Sequence, residues 1–283
     1  MTEIASVAVV GAGFMGSGIA EAVAVAGIQV VVRDVDRAAV ERARERISAS
    51  LSRAVDRGKL SGEEAFAVEG RIELTTELEQ IAGAELVVEA VPEDERLKLE
   101  VLTAIGEAAG ERAIVASNTS SIPITQLAQA LPRPERVIGM HFFSPVPVMA
   151  LVELVVALDT SPETLAAARA FAERIGKTPI ETRDRAGFVV NMLLVPYLMA
   201  AVRMFEDGFA GREDIDTGMK LGCGHPMGPL TLCDFIGLDV LQAVCDSLYE
   251  EFKRDEYAAP PLLKRMVAAG RLGRKSGRGF YEY

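Results

Sequence analysis

Two titratable residues stand close together in "MHFFSPVPVMALVEL", residues 140–154. His141, one of only two histidines in 283 residues, ends an apolar run, and Glu153 lies at the start of a second Val/Leu run. Histidine has the unperturbed pKa nearest neutrality. A carboxylate bonded to one ring nitrogen fixes the tautomer and stabilises the imidazolium that forms when the other nitrogen takes a proton. The two residues therefore read as a general acid/base pair, and equally as a core histidine beside an edge-strand charge. What the chain binds decides between these.

A second arrangement supplies the binding partner. In "VAVVGAGFMGSGIAEAVAVAG" the spacing Gly11-x-Gly13-x-x-Gly16 falls between an apolar strand and an Ala/Val helix, and a later run "VVVRD" ends in Asp34. Gly11 permits a tight turn, Gly13 leaves room for a pyrophosphate beside the backbone, and Gly16 lets the helix pack closely on the strand. The free N–H groups and dipole of the helix N-terminus then stabilise phosphate charge. Asp34 is expected to accept the adenosine ribose hydroxyls and to repel a 2′-phosphate, so NAD is expected over NADP. If the strand reaches Asp34, alternation points Arg33 away from the ribose.

These residues need elements to hold them. Short β-branched runs ("SVAVV", "IQVVVR", "ELVVEA", "AIVASN", "RVIGMH") alternate with helical stretches such as "DRAAVERARERISASLSRAVDR", which predicts a parallel sheet with crossover helices. "LVELVV" and "TPIETR" extend this part to about residue 184. Beyond it no strand signal remains, and 187–207, 212–221, 229–253 and 260–270 read as helices punctuated by Gly and Pro. The expected fold is an α/β Rossmann-type doubly wound sheet over 1–184, followed by an all-α C-terminal domain over 185–283. His141 then lies at the carboxyl end of a strand, where open α/β sheets bind ligands.

Composition narrows the partners. A net charge of −11 argues against generic nucleic-acid binding, which needs a basic footprint. Three cysteines (Cys223, Cys233, Cys245) without CxxC spacing predict neither a disulfide framework nor a zinc site, and no metal is expected. The first strand signal begins within ten residues, so no targeting segment is expected and the location expected is cytoplasmic. The run "GFVVNMLLVPYLMAAV" is shorter than the ~20 residues of a spanning helix and carries Asn191 and Pro196. It reads as a buried helix with something polar to hold, and no membrane partner is expected.

Taken in order, "SNTSS" (117–121), "HFFSPVPVM" (141–149), "LVEL" (151–154), "GFVVNMLL" (187–194), "HPMGPLTLCDFIGLD" (225–239) and the terminal "KSGRGFYEY" resemble the 3-hydroxyacyl-CoA dehydrogenase family, especially its stand-alone bacterial 3-hydroxybutyryl-CoA members. The resemblance covers essentially the whole chain. It implies NAD-dependent, reversible oxidation of a short-chain L-3-hydroxyacyl-CoA to the 3-ketoacyl-CoA, with His141 as base and Glu153 as its partner. It further implies Ser120 and Asn191 at the substrate, Asn191 reaching from the helical domain to the acyl group. Glu93 would lie near the nicotinamide ribose, with Lys98 and Asn118 as other cofactor-side residues. Ser120 and the loop residues Gly11, Gly13, Phe14, Met15 and Gly16 complete the cofactor set. For Lys98 the sequence alone favours an exposed helical pair with Asp94. Ser144 stands where many relatives carry asparagine, which is expected to alter turnover or acyl preference.

From Arg33 to Leu60, eight basic residues face five acidic ones, and Val40, Ala43, Ile47, Leu51 and Ala54 recur at helical spacing. Ser50, Arg53 and Arg57 fall roughly where the family binds coenzyme A. A solvated amphipathic face fits the same pattern. His225 and Cys223 in "GCGHPMGPL" have the wrong surroundings for a nucleophile and base, being set in a Gly/Pro turn. By resemblance that motif belongs to the domain that forms a homodimer. Two other functions share much of this signature: a dehydrogenase of a free hydroxy acid, of gulonate or carnitine type, and a non-catalytic NAD-binding protein.

Overall fold

A computed structural model describes residues 3–283. They fall into two compact units, the first ending at Asp184 and the second running from Arg185 to Tyr283.

The first unit is built on one eight-stranded sheet in the order β3-β2-β1-β4-β5-β6-β7-β8. Its strands are β1 (Ser6–Val10), β2 (Gln29–Arg33), β3 (Ile72–Thr75), β4 (Leu86–Glu89), β5 (Ile114–Ser117), β6 (Val137–Phe142), β7 (Leu151–Val156) and β8 (Thr178–Arg183). The chain starts at the centre, winds out to β3, then returns across β1 to β4. The β1/β4 boundary is therefore the topological switch point at which this class of sheet opens a crevice. The helices are α1 (Phe14–Val25), α2 (Arg37–Asp56), α3 (Gly62–Glu69), α4 (Glu95–Ala108), α5 (Ile124–Ala128) and α6 (Pro162–Arg174). Helix α1 is Ala/Val-rich because nearly all of it is buried, Gly16 through Ala24 without a break. Helix α2 buries only the stripe Val40, Ala43, Ile47 and Leu51, as its spacing predicts.

Two expectations need correction here. The sheet is not wholly parallel: β7 runs antiparallel to β6. The connection between them, residues 143–150, is too short for the crossover helix a parallel neighbour requires. In addition, β3 gives a weak sequence signal, because it is a four-residue edge strand with only Thr75 fully buried.

The second unit is all helical: α7 (Val190–Glu206), α8 (Arg212–Cys223), α9 (Pro229–Ile236), α10 (Leu238–Phe252) and α11 (Pro261–Ala268), around a core that includes Leu198, Leu230, Leu241, Leu248 and Leu263. The single helix expected over 229–253 is two, broken at Gly237, whose φ of 106° no ordinary helical residue adopts. Two buried carboxylates hold the loops. Asp216 accepts from the backbone N–H of Leu230 and Thr231 at the start of α9. Asp234 accepts from the N–H of Phe280 and Tyr281 and so fixes the terminal "GFYEY" run. No described helix is long and apolar enough to cross a membrane.

Candidate active site

The glycine loop joins β1 to α1 as the spacing requires. Gly11 has φ 107°, and a Cβ there would meet the Ala90 backbone at 2.6 Å. At Gly16 a Cβ would lie 1.9 Å from the Gly11 carbonyl oxygen. Gly13 differs, since a Cβ on it would meet nothing within 4 Å. Gly13 also caps α1 without any side-chain hydrogen bond, and the first turn carries no acidic residue. The helix thus offers open space and its first-turn N–H donors to an anion, and Phe14 beside them is 61% exposed.

Strand β2 ends at Arg33, one residue before Asp34. The Asp34 carboxylate accepts from the Ala12 N–H at 2.8 Å, which sets it against the loop. Arg33 donates from Nε to the Thr76 carbonyl, on the β3 side. Space at Gly13, a bare helix N-terminus and Asp34 together fit a dinucleotide such as NAD.

On the other side of the switch point, Glu93 organises the "SNTSS" loop. Its Oε1 accepts from Thr119 Oγ1 (2.6 Å), Ser120 N (2.8 Å) and Oγ (3.2 Å), and Ser121 N (3.0 Å) and Oγ (2.9 Å). Burial would raise the Glu93 carboxyl, but the Lys98 charge and these hydrogen bonds outweigh it and hold the pKa below the ordinary carboxylate value. Lys98 is not the exposed partner of Asp94 that its spacing favours. It is 1% exposed and pairs with Glu89 at 2.7 Å, while Asp94 instead caps α4 through the Leu97 N–H.

The antiparallel β6–β7 pairing opposes His141 directly to Glu153, and opposed residues share a face of the sheet. His141 Nδ1 lies 2.6 Å from Glu153 Oε2, both side chains buried. Asn118 Oδ1 accepts from the Phe142 N–H at 2.9 Å, tying the Ser120 loop to the His141 strand. The β6–β7 connection is held from below by Lys177, whose Nζ donates to the Val146 and Met149 carbonyls. It contains Ser144, which precedes a cis proline. Burial pulls the Lys177 pKa below its ordinary value, against the raising effect of Glu21.

The residues expected at coenzyme A separate. Ser50 turns inward and donates to Glu21 Oε1 at 2.9 Å, whereas Arg53 on α2 and Arg57 just beyond its end are exposed. Asn191 lies in the first turn of α7, half-buried. His225 pairs through Nδ1 with the Tyr197 hydroxyl at 3.2 Å. Sequence reasoning missed three groups: Glu89, Glu21 and Lys177. The available signal was a charge inside an otherwise apolar strand or helix, or at the entry to a strand. A cleft of about 300 Å³ lined by Leu131, Arg133, Arg136 and Val137 sits at the amino ends of β5 and β6, away from this crevice.

Comparison with known proteins agrees with this geometry. A family model for the NAD binding domain of 3-hydroxyacyl-CoA dehydrogenase matches residues 6–185, and the model for the C-terminal domain of the same family matches 187–283. A 3-hydroxybutyryl-CoA dehydrogenase of Mycobacterium tuberculosis is 50% identical over 282 residues, covering 99% of each chain. Among solved structures, FadB2 of M. tuberculosis superposes with a TM-score of 0.98 at 50% identity, covering 100% of both chains. The (S)-3-hydroxybutyryl-CoA dehydrogenase of Ralstonia eutropha gives 0.95 at 47% identity, covering 99% of both.

Proposed function

The chain belongs to the 3-hydroxyacyl-CoA dehydrogenase family, and from that premise we propose that it interconverts L-3-hydroxybutyryl-CoA and acetoacetyl-CoA with His141 as base. NAD, held by the Gly13 loop and Asp34, would supply the acceptor for the hydride lost from C3. His141 takes the hydroxyl proton on Nε2, because Nδ1 is committed to Glu153, and the C3–O bond becomes a carbonyl. Glu153 holds the tautomer and stabilises the imidazolium as it forms. Ser120, on the loop that Glu93 and Asn118 secure, hydrogen-bonds the reacting oxygen. Asn191 orients the acyl group. Gly13, the α1 N-terminus and Asp34 bind the dinucleotide, and Arg53 and Arg57 meet the phosphates of coenzyme A. The buried 2.6 Å contact between His141 and Glu153 is the observation that supports this reading most directly.

The protein is further proposed to be a cytosolic homodimer joined through its helical unit, which leaves Leu193, Phe209, Leu221, Phe235 and Val240 exposed. Light scattering at micromolar concentration tests that assembly. For the reaction, the test is loss of NADH absorbance with acetoacetyl-CoA, run beside free acetoacetate and beside NADPH. Turnover only with NADH and the thioester is expected. Turnover of the free keto acid moves the protein to hydroxy-acid oxidation. NADH binding without turnover on thioesters of several chain lengths makes it a non-catalytic NAD-binding protein.

A further inference from the structure

The carboxyl end of β4 holds a charge system that neither the glycine loop nor the acid/base pair explains. Glu89, the last residue of β4, is fully buried. Its Oε1 accepts from the Val91 N–H and from Lys98 Nζ, each at 2.7 Å, and its Oε2 from Ser117 Oγ at 2.5 Å. Lys98 Nζ donates also to the Val91 carbonyl at 3.1 Å and lies 3.5 Å from Glu93 Oε2. Two carboxylates therefore share one ammonium. Glu89 and Lys98 are sealed from water, while the Glu93 side chain is 35% exposed.

A buried ion pair is a poor device for stability, because desolvation offsets most of the attraction. Lys98 alone would neutralise Glu93. The second carboxylate brings the trio to a net charge of −1, and its interior members are little screened by salt. Asp34 marks the adenosine half of the crevice on the β2 side of the switch point, so the β4 side faces the nicotinamide half. The nicotinamide ring is cationic in NAD⁺ and neutral in NADH. We propose that Glu89 is a positioning residue which, acting through Lys98 and Glu93, keeps a net negative charge beside the nicotinamide half and so favours the oxidised cofactor over the reduced one.

This rests on the NAD reading of the crevice, and the test separates the two. Calorimetric titration of the full-length protein with NAD⁺ and with NADH gives the ratio Kd(NAD⁺)/Kd(NADH). Glu89→Gln keeps the hydrogen-bonding shape and removes one charge. It is expected to raise that ratio about tenfold, the order expected of one unit charge at an effective dielectric of about 20. Glu89→Gln/Lys98→Met restores the net −1 and is expected to return the ratio to within about twofold of the parent. A purely structural role would instead weaken both forms together and leave the ratio flat in each variant, which overturns the proposal. If Glu89→Gln does not fold, Glu93→Gln removes one charge at the half-exposed member of the trio and must raise the ratio; a flat ratio there also overturns it. A parent protein that binds neither cofactor form removes the NAD reading and this proposal with it, whereas binding with an unmoved ratio removes the proposal alone.

Discussion

His141 and Glu153 are opposed residues on antiparallel strands β6 and β7, and the 2.6 Å contact between them closes with both side chains buried. A base so placed typically contributes ~10²–10⁴ in rate. His141→Ala is expected to lower kcat by that factor while NADH binding, measured by fluorescence titration, is retained. Glu153→Gln keeps the shape and loses the negative charge, so kcat should fall by at least about tenfold. Undiminished turnover in His141→Ala would return the histidine to a packing role.

The glycine loop gives a paired test of stability against binding. Gly16→Ala forces a Cβ against the Gly11 carbonyl, and overpacking of this kind costs about 1–3 kcal/mol, visible as a fall in Tm. Gly13→Ala meets no protein atom, so its Tm should stay within about 1 °C of the parent while NADH affinity drops about tenfold or more. Equal thermal loss in both variants would contradict the division of labour between these two glycines.

The proposed role of Asp34 in the choice of cofactor can be tested by removing its charge. Asp34→Asn retains an acceptor for the Ala12 N–H and removes the charge that repels a 2′-phosphate. The ratio of kcat/KM for NADPH to that for NADH should rise about tenfold, equivalent to about 1.4 kcal/mol of discrimination.

Glu21 carries a pH signature. Burial raises its carboxyl above the ordinary value of 4.5, although the Ser50 hydrogen bond and the charges of Arg53 and Lys177 pull the other way. The folded state thus holds this proton more tightly than the unfolded chain does. Its contribution to stability is full below pH 4.5 and declines as pH rises through the raised value. Glu21→Gln abolishes the decline. Scanning fluorimetry should show variant and parent differing least near pH 4.5, with the variant ahead by on the order of 2 °C at pH 8. A variant that loses ground as pH rises would reverse the sign.

The parts of this site legible in the sequence are those whose physical demand is local. Gly11, Gly13 and Gly16 each answer a backbone requirement met within one turn, and Asp34 follows at the end of the next strand. Partners brought from elsewhere in the chain were harder to see. Lys98 sits four residues after Asp94 and reads as a surface pair, yet its carboxylate is Glu89, nine residues upstream on a buried strand. Glu21 hides in an Ala/Val helix because its compensation comes from α2 and from Lys177, beyond any helical period. The spacing of His141 and Glu153 was visible, but the antiparallel turn that opposes them was not, since strand direction is a property of the connection and not of either strand. Gly237 likewise divides α9 from α10 through a φ that its neighbours do not announce.

The opposition of His141 to Glu153 has one more effect. Met140 faces Leu154 and Phe142 faces Val152 on either side of it, so sliding β7 by a single position would put an aliphatic side chain opposite the histidine and turn the carboxylate to the other face. A misaligned molecule would keep its glycine loop and its histidine, but the imidazole would lose the carboxylate that holds it. The register of β7 on β6 is thus what decides whether the two side chains meet at all.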